Sequence, residues 1–315
     1  MNVPLVKLTV LNNYTRIKNI KYNIIYKFSS FFNALFFMNI CIIAKNTDKE
    51  AVYLYEEFKK KNFKKVFLAD LAKLNIRVSN RGVGISYKNK FDWDVCVIRP
   101  RVEDFAFCYL ISDIMKKKSA CLPTPQAILN CSNRGLMAKA ILEAKGTQPL
   151  SYICLSTESA KNIATRFKAC ALKLAKHGGK GVVLVKKSSN ASELVDIFSD
   201  LDQPFCIQRF INGEIIKTLI VGEEIIAMRE LPKNGEERSN FGKREHIKIK
   251  EEVKNDLLSL SKYLGAFLFE VDLIEKNSKY YIIDVSLTPN LEMYCEISGR
   301  NVGALYADYI LQNYS

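Results

Sequence analysis

The sequence predicts a mixed α/β (α+β) fold in three blocks: a small doubly wound α/β domain over 38–123, a second α/β block over 124–204, and a strand-rich block over 205–315. Three observations carry this. Short apolar runs alternate with helical periods from Met38 to the Pro123-Thr124-Pro125 break, the rhythm of β-α-β units. A glycine-rich turn, Gly178-Gly179-Lys180-Gly181, separates two apolar strands in the second block. Near the C-terminus, Phe269-Glu270-Val271-Asp272-Leu273 and Ile283-Asp284-Val285-Ser286-Leu287-Thr288-Pro289 read as buried strands carrying carboxylates. A carboxylate inside an apolar strand is costly unless it is paired or holds a metal.

Composition sets the limits. The chain has 315 residues, 48% of them hydrophobic, enough for more than one domain. No run approaches the roughly 18 consecutive apolar residues of a membrane span, so no membrane partner is expected. Nine cysteines, an odd number with no CxxC spacing, predict reduced core thiols and a cytoplasmic protein. His177 and His246 are the only histidines, which argues against a Ser-His-Asp hydrolase or a multi-histidine metal site. Of the net charge of +14, five positive charges fall in residues 1–37, which contain no acid. A basic surface suits RNA, a membrane face or an acidic substrate; with no RNP-type motif or zinc knuckle, nucleic acid is not the expected partner.

The elements follow in order. Residues 1–37 predict a basic, disordered extension or an early start, because Met38 directly precedes the first strand, Asn39–Ala44. Thr47-Asp48-Lys49-Glu50 has the spacing of a capping box and predicts a helix through Lys60. Strands follow at Val66–Leu68, Val83–Tyr87 and Val95–Ile98, with Gly82 and Gly84 as a hairpin turn, then a helix from Glu103 to Met115. The second block predicts helices at Gly135–Lys145 and from Thr157, strands Ala169–Leu174 and Val182–Lys186, and a helix capped by Asn190. The third predicts strands at Phe205–Phe210, Ile215–Val221, Glu224–Arg229, Phe267–Ile274 and Tyr280–Val285. Its helices are Glu251–Leu264, stopped by Gly265, and Gly299–Asn313. The turn Lys276-Asn277-Ser278 would bring Asp272 and Asp284 side by side.

Lys173, on a half-buried strand before the glycines, can neutralise a phosphate where backbone N–H groups converge. The loop lacks the P-loop order GxxxxGK[ST] and leads into a strand. In chain order, this strand lysine, the glycine loop, Gln208-Arg209-Phe210-Ile211, Arg238-Ser239-Asn240, Val271-Asp272-Leu273 and Asp284–Pro289 resemble the ATP-grasp ligases. The resemblance is strongest to the RimK-type branch, which joins glutamate or related amino acids to a carboxylate. It runs from Met38 to the C-terminus, and Arg99-Pro100-Arg101 is similar to the end of that family's N-terminal domain.

The resemblance implies an ATP-grasp fold preceded by the small doubly wound domain. It also implies ATP with Mg²⁺ (Mn²⁺ as the alternative ion), an amino-acid substrate, an acidic small-molecule or protein-tail acceptor, and self-association. Lys173 would contact phosphates, and Gly178, Gly179 and Gly181 would close over them. Gln208, Arg209 and Phe210 would form the adenine hinge, with Glu214 near the ribose. Lys139 would stand in for the lysine expected where Gly135 lies. Arg238 and Asn240 would reach the phosphates and the reacting carboxylate, and Asp272, Asp284 and Ser286 would hold the metal.

Departures from the family pattern are Asp284 for Glu, Ser286 for Asn, Arg209 for the hinge acid, and Ile215-Ile216-Lys217 for Asp-Ile-Arg. Ser is a weaker Mg²⁺ ligand than an amide carbonyl. Two alternatives therefore stay open beside the ligase: a nucleotide-binding pseudoenzyme with a regulatory or scaffold role, and a basic RNA- or ribosome-associated protein.

Overall fold

A computed structural model describes residues 38–87, 92–174, 182–186, 190–199, 204–231 and 243–314. The expectation for residues 1–37 lies outside them.

The first block contains β1 (Asn39–Ala44), α1 (Lys49–Lys59), β2 (Lys65–Asp70), β3 (Asn75–Ser79), β4 (Gly82–Ser86), β5 (Val95–Ile98), α2 (Phe105–Met115) and β6 (Ala120–Leu122). Four of its strands form a parallel sheet in the order β2-β1-β5-β6. Continuous apolar strands suit a sheet buried on both faces. The expected strand at 83–87 does not join it. It is β4, and it pairs antiparallel with β3 as a mostly exposed hairpin; the turn is Asn80-Arg81, not the glycines expected there, with Gly82 opening β4 at φ +115° and Gly84 inside the strand. The helix cap also differs from expectation. Asp48, not Thr47, accepts from the N–H groups of Glu50 and Ala51 at 3.1 and 3.2 Å, while the Thr47 hydroxyl accepts from Arg101.

Next come α3 (Pro125–Cys131), α4 (Arg134–Glu143), β7 (Ser151–Cys154), α5 (Thr157–Ala164), β8 (Cys170–Leu174), β9 (Val182–Val185), α6 (Ala191–Ser199) and β10 (Phe205–Arg209). Their antiparallel sheet runs β7-β10-β8-β9. The last block holds β11 (Glu214–Val221), β12 (Glu224–Leu231), β13 (Lys243–Ile247), α7 (Glu251–Leu264), β14 (Leu268–Lys276), β15 (Lys279–Ser286), α8 (Leu291–Ser298) and α9 (Val302–Tyr314). Its sheet is β13-β12-β11-β14-β15. Gly265 ends α7 at φ +64°, a left-handed cap suited to glycine.

Packing does not follow the three blocks. Cys41, Ile43 and Ile98 of the parallel sheet share a core with Phe269, Val271 and Val285 of the five-stranded sheet, and α3 and α4 contribute Ile128, Met137 and Ile141. On the sheet's other face, Ile40, Ile42, Leu54 and Phe58 pack with Leu219, Tyr294 and Tyr306. The third core is drawn from residues 154–207, including Cys170, Leu172, Val185 and Ile207. Among the described residues no helix is long and apolar enough to cross a membrane.

Candidate active site

The β14–β15 hairpin turns through Asn277 and Ser278, both left-handed at φ 50° and 61°, the backbone of a two-residue turn matched to strand twist. The resulting register sets Asp272 directly opposite Asp284 and Glu270 opposite Ser286. Residues two apart on a strand share a face, so all four side chains belong to one surface. Between Asp272 and Leu273 the register slips, leaving Ile283 as the extra residue of a bulge. Its carbonyl accepts from Lys173 Nζ at 2.9 Å, across from the four-stranded sheet.

Lys173 is only 6% exposed, and Nζ also donates to Gln208 Oε1 at 2.8 Å. Gln208 in turn donates to Ser151 Oγ at 3.1 Å, which fixes its amide. Two adjoining small pockets, each of about 20 Å³, share Lys173, Gln208 and Ile283 in their walls. One reaches Arg134 and Asp284; the other, the hinge pocket, is lined by Arg209, Phe210, Ile211 and Ile274. Gln208 faces inward, whereas Arg209 points to the exposed side with its guanidinium 6.0 Å from the Phe167 ring.

Each aspartate has a cation. Lys217 on β11 donates to both Asp272 oxygens, at 3.1 and 3.3 Å, and lies 3.6 Å from Glu270. Arg134 donates to Asp284 Oδ1 at 3.2 Å and to the Leu174 carbonyl at 2.9 Å. An arginine in the first turn of a helix opposes the helix dipole, so this buried residue is held by its acceptors and not by the helix. Glu270 also accepts from the Tyr294 hydroxyl at 2.8 Å.

Burial pushes the Asp272 carboxyl up to about 7, with the Glu270 and Asp284 charges adding and Lys217 opposing. Burial alone would lower the Lys217 ammonium, but Asp272 and Glu270 outweigh it and raise it. The lysine therefore stays charged and the aspartate bears the strain of the cluster. Burial and Glu270 also raise the Tyr294 hydroxyl well above its ordinary value, so it remains a donor.

Two expected residues lie elsewhere. The face of α4 turned to the cleft carries Arg134, Met137, Ala138 and Ile141, and position 139 is about 100° round the helix from 138. Lys139 is accordingly 71% exposed and paired with Glu143; the cation this helix offers is Arg134. Strand alternation puts Glu214 on the face of β11 opposite Lys217, where its carboxylate, 60% exposed, pairs with Arg229 at 2.9 Å. Ser286 shares the surface of the aspartates, and its Oγ accepts from the Thr288 N–H. Gly178, Gly179, Gly181, Arg238 and Asn240 lie outside the described residues.

Sequence reasoning passed over Arg134, Lys217 and Glu270 as parts of this surface. Lys217 and Glu270 carried the same signal as Asp272, a charge inside an apolar strand; Arg134 carried none beyond its position at a helix start. Among the described residues no three His, Cys, Asp or Glu side chains converge to hold an ion unaided. A pair of opposed carboxylates with a neighbouring hydroxyl does fit Mg²⁺, an oxygen-seeking ion that takes one or two carboxylates and completes its shell with phosphate and water.

Residues 136–310 match the family profile described as RimK-like ATP-grasp domain. A curated relative from Haemophilus influenzae (strain ATCC 51907 / DSM 11121 / KW20 / Rd), named "Probable alpha-L-glutamate ligase", is 26% identical over 212 residues, 64% of this chain and 70% of that one. The ATP-grasp ligase PsnB, solved with a minimal precursor, Mg and ADP, superposes with a TM-score of 0.68 at 12% identity, over 88% of this chain and 97% of its own. A RimK domain protein from Sphaerobacter thermophilus DSM 20745 gives 0.67 at 16% identity, over 86% and 98%. At these identities the structural likeness speaks for the fold.

Proposed function

This chain belongs to the RimK-like ATP-grasp family, and we propose that it is an ATP-dependent carboxylate–amine ligase that joins glutamate to an acidic acceptor. A free carboxylate does not react with an amine at neutral pH, because its oxygen leaves poorly. Transfer of the γ-phosphoryl group of ATP makes an acyl phosphate, and the amine displaces phosphate to form an amide. The work of the protein is positioning and charge neutralisation.

The observation that carries the reading is the register of Asp272 against Asp284 on a surface that Lys173 reaches from the facing sheet. Asp272, Asp284 and Ser286 would hold Mg²⁺, which when bound neutralises phosphate oxygens during transfer. Lys173 and Arg134 would offset phosphate charge, and adenine would lie against the Gln208–Ile211 backbone. Gly178, Gly179 and Gly181 would cover the phosphates and exclude water, and Arg238 and Asn240 would meet the reacting carboxylate. The placements of Lys139 and Glu214 remove both from this scheme. Glutamate comes from the name of the curated relative. A peptide or protein tail as acceptor is in keeping with the precursor-bound neighbour and with the chain's net charge of +14.

One observation favours the rival pseudoenzyme: both aspartates already have basic partners. A screen of carboxylic acids with glutamate and Mg²⁺-ATP, read as ADP release and product mass, separates the two. The ligase predicts turnover that Asp284→Ala lowers by about a hundredfold or more; ATP binding with no turnover on any acid would establish the pseudoenzyme.

A further inference from the structure

We infer that Glu270 receives the ammonium group of the incoming amine and so sets the chemical class of that substrate; this rests on the ligase reading above. Ile274, Asp272 and Glu270 occupy one face of β14 at two-residue steps, about 6.8 Å each. Ile274 lines the hinge pocket and Asp272 forms the aspartate pair. Glu270 therefore lies beyond the pair, on the side away from the hinge. A nucleotide with its base in the hinge pocket and its phosphates at the aspartates directs its terminal phosphate towards Glu270. The groups that react must meet there.

A carboxylate at that point repels the phosphate and carboxylate groups of all three reactants. Glutamate, although a net anion at neutral pH, is the one reactant that brings a cationic group, its ammonium. Glu270 is also held in place. Tyr294, fully buried, donates to Oε2 at 2.8 Å, and Lys217 stands 3.6 Å from Oε1. The side chain keeps 15% of its surface exposed. An ionised carboxylate has about four lone-pair sites, so two partners leave acceptor capacity. Leu219 lies directly opposite Glu270 on β11, and Leu268, the next residue on this face of β14, is buried in the core, so Glu270 is the last polar residue of β14 before it.

The test uses the full-length protein and an acid on which it releases ADP. Two amines are compared at neutral pH: glutamate, which presents an ammonium, and hydroxylamine, which is neutral and traps the acyl phosphate as a hydroxamate. For Glu270→Gln, glutamate kcat/KM falls about ten- to a hundredfold, the range of a charge-assisted hydrogen bond, with most of the loss in the KM for glutamate. Hydroxamate formation falls less than about threefold, and the KM for ATP moves less than about twofold, because neither depends on ammonium binding. Tyr294→Phe shifts the same ratio in the same direction by a smaller factor, and it carries the test if the glutamine variant fails to fold. Equal losses with both amines, or a KM for ATP that rises with them, overturn the inference and assign Glu270 to the phosphate end or to the fold. A wild-type protein that releases ADP with no acid refutes the ligase reading itself, which is a separate result.

Discussion

Asp272→Asn removes a charge and leaves the shape of the side chain. In the folded protein this carboxyl is raised from an ordinary 3.8 to about 7, by burial first and then by Glu270 and Asp284, against Lys217. A carboxyl raised above its unfolded value favours folding while it is protonated, and that stability is lost as pH climbs from about 4 through about 7. Roughly three units at about 1.4 kcal/mol each give about 4 kcal/mol as an upper bound. Water reaching a side chain 23% exposed, and relaxation of Lys217 onto Glu270, reduce the expected gain to about 1–2 kcal/mol. At about 2–4 °C per kcal/mol, the variant should melt about 2–8 °C above wild type at pH 8.5 in EDTA. The advantage should shrink as pH falls from 7 towards 4, and the same variant should lose Mg²⁺-dependent nucleotide binding. Thermal melts across that pH range decide the matter. A variant less stable than wild type at every pH would make Asp272–Lys217 an ordinary structural ion pair and refute the reasoning.

The two cations of α4 should separate cleanly: Arg134→Met lowers nucleotide affinity about tenfold or more by leaving Asp284 and the phosphates without their buried partner. Lys139→Ala, by contrast, removes an exposed helical pair and changes affinity by less than about twofold, measured by titration with a fluorescent ATP analogue. Gly265→Ala should destabilise the protein by about 1–3 kcal/mol in urea unfolding, because its φ of +64° is left-handed and the new Cβ would lie 2.5 Å from Thr124 Cγ2; a loss below about 0.5 kcal/mol would show that the α7 cap is not strained.

How much of this was legible depends on the range of the interaction that decides it. β1, β2 and β5 of the parallel sheet and the helix stop at Gly265 follow from local pattern and backbone sterics, and the sequence carried them; the fourth strand, β6, three residues long, was not among the expected elements. Asp272 and Asp284 were visible for a similar reason, since a carboxylate among Phe, Val and Leu violates an expectation that needs no partner to be stated. What failed was pairing. β3 and β13 have little apolar character and form because a neighbouring strand offers its free edge. The turn of the β14–β15 hairpin uses two residues, not the three expected, and this fixes the register on which the bulge at Ile283 depends. Lys139 was placed by counting from Gly135, but the face of α4 that meets the cleft is set by the sheets it packs on. The shared cores have the same origin, because no window of sequence records that Ile40 will meet Tyr294.

The cations beside the aspartates bear directly on whether this surface is a site or a salt-bridged seam. A seam built for stability would bring its charges to rest, each carboxyl held low by its partner. Asp272 behaves otherwise. With Lys217 donating to both of its oxygens, its carboxyl is still pushed up to about 7, by partial burial first and then by Glu270 and Asp284 on the same face. Lys217 and Arg134 bring two positive charges to a face that carries three carboxylates, Glu270, Asp272 and Asp284. A divalent ion is the simplest addition that would relieve it, and it would let Lys217 turn to Glu270, already 3.6 Å away. The destabilising placement of carboxylates is therefore the reason to read the face as functional, and the stability gained on removing one of them is its most direct measure.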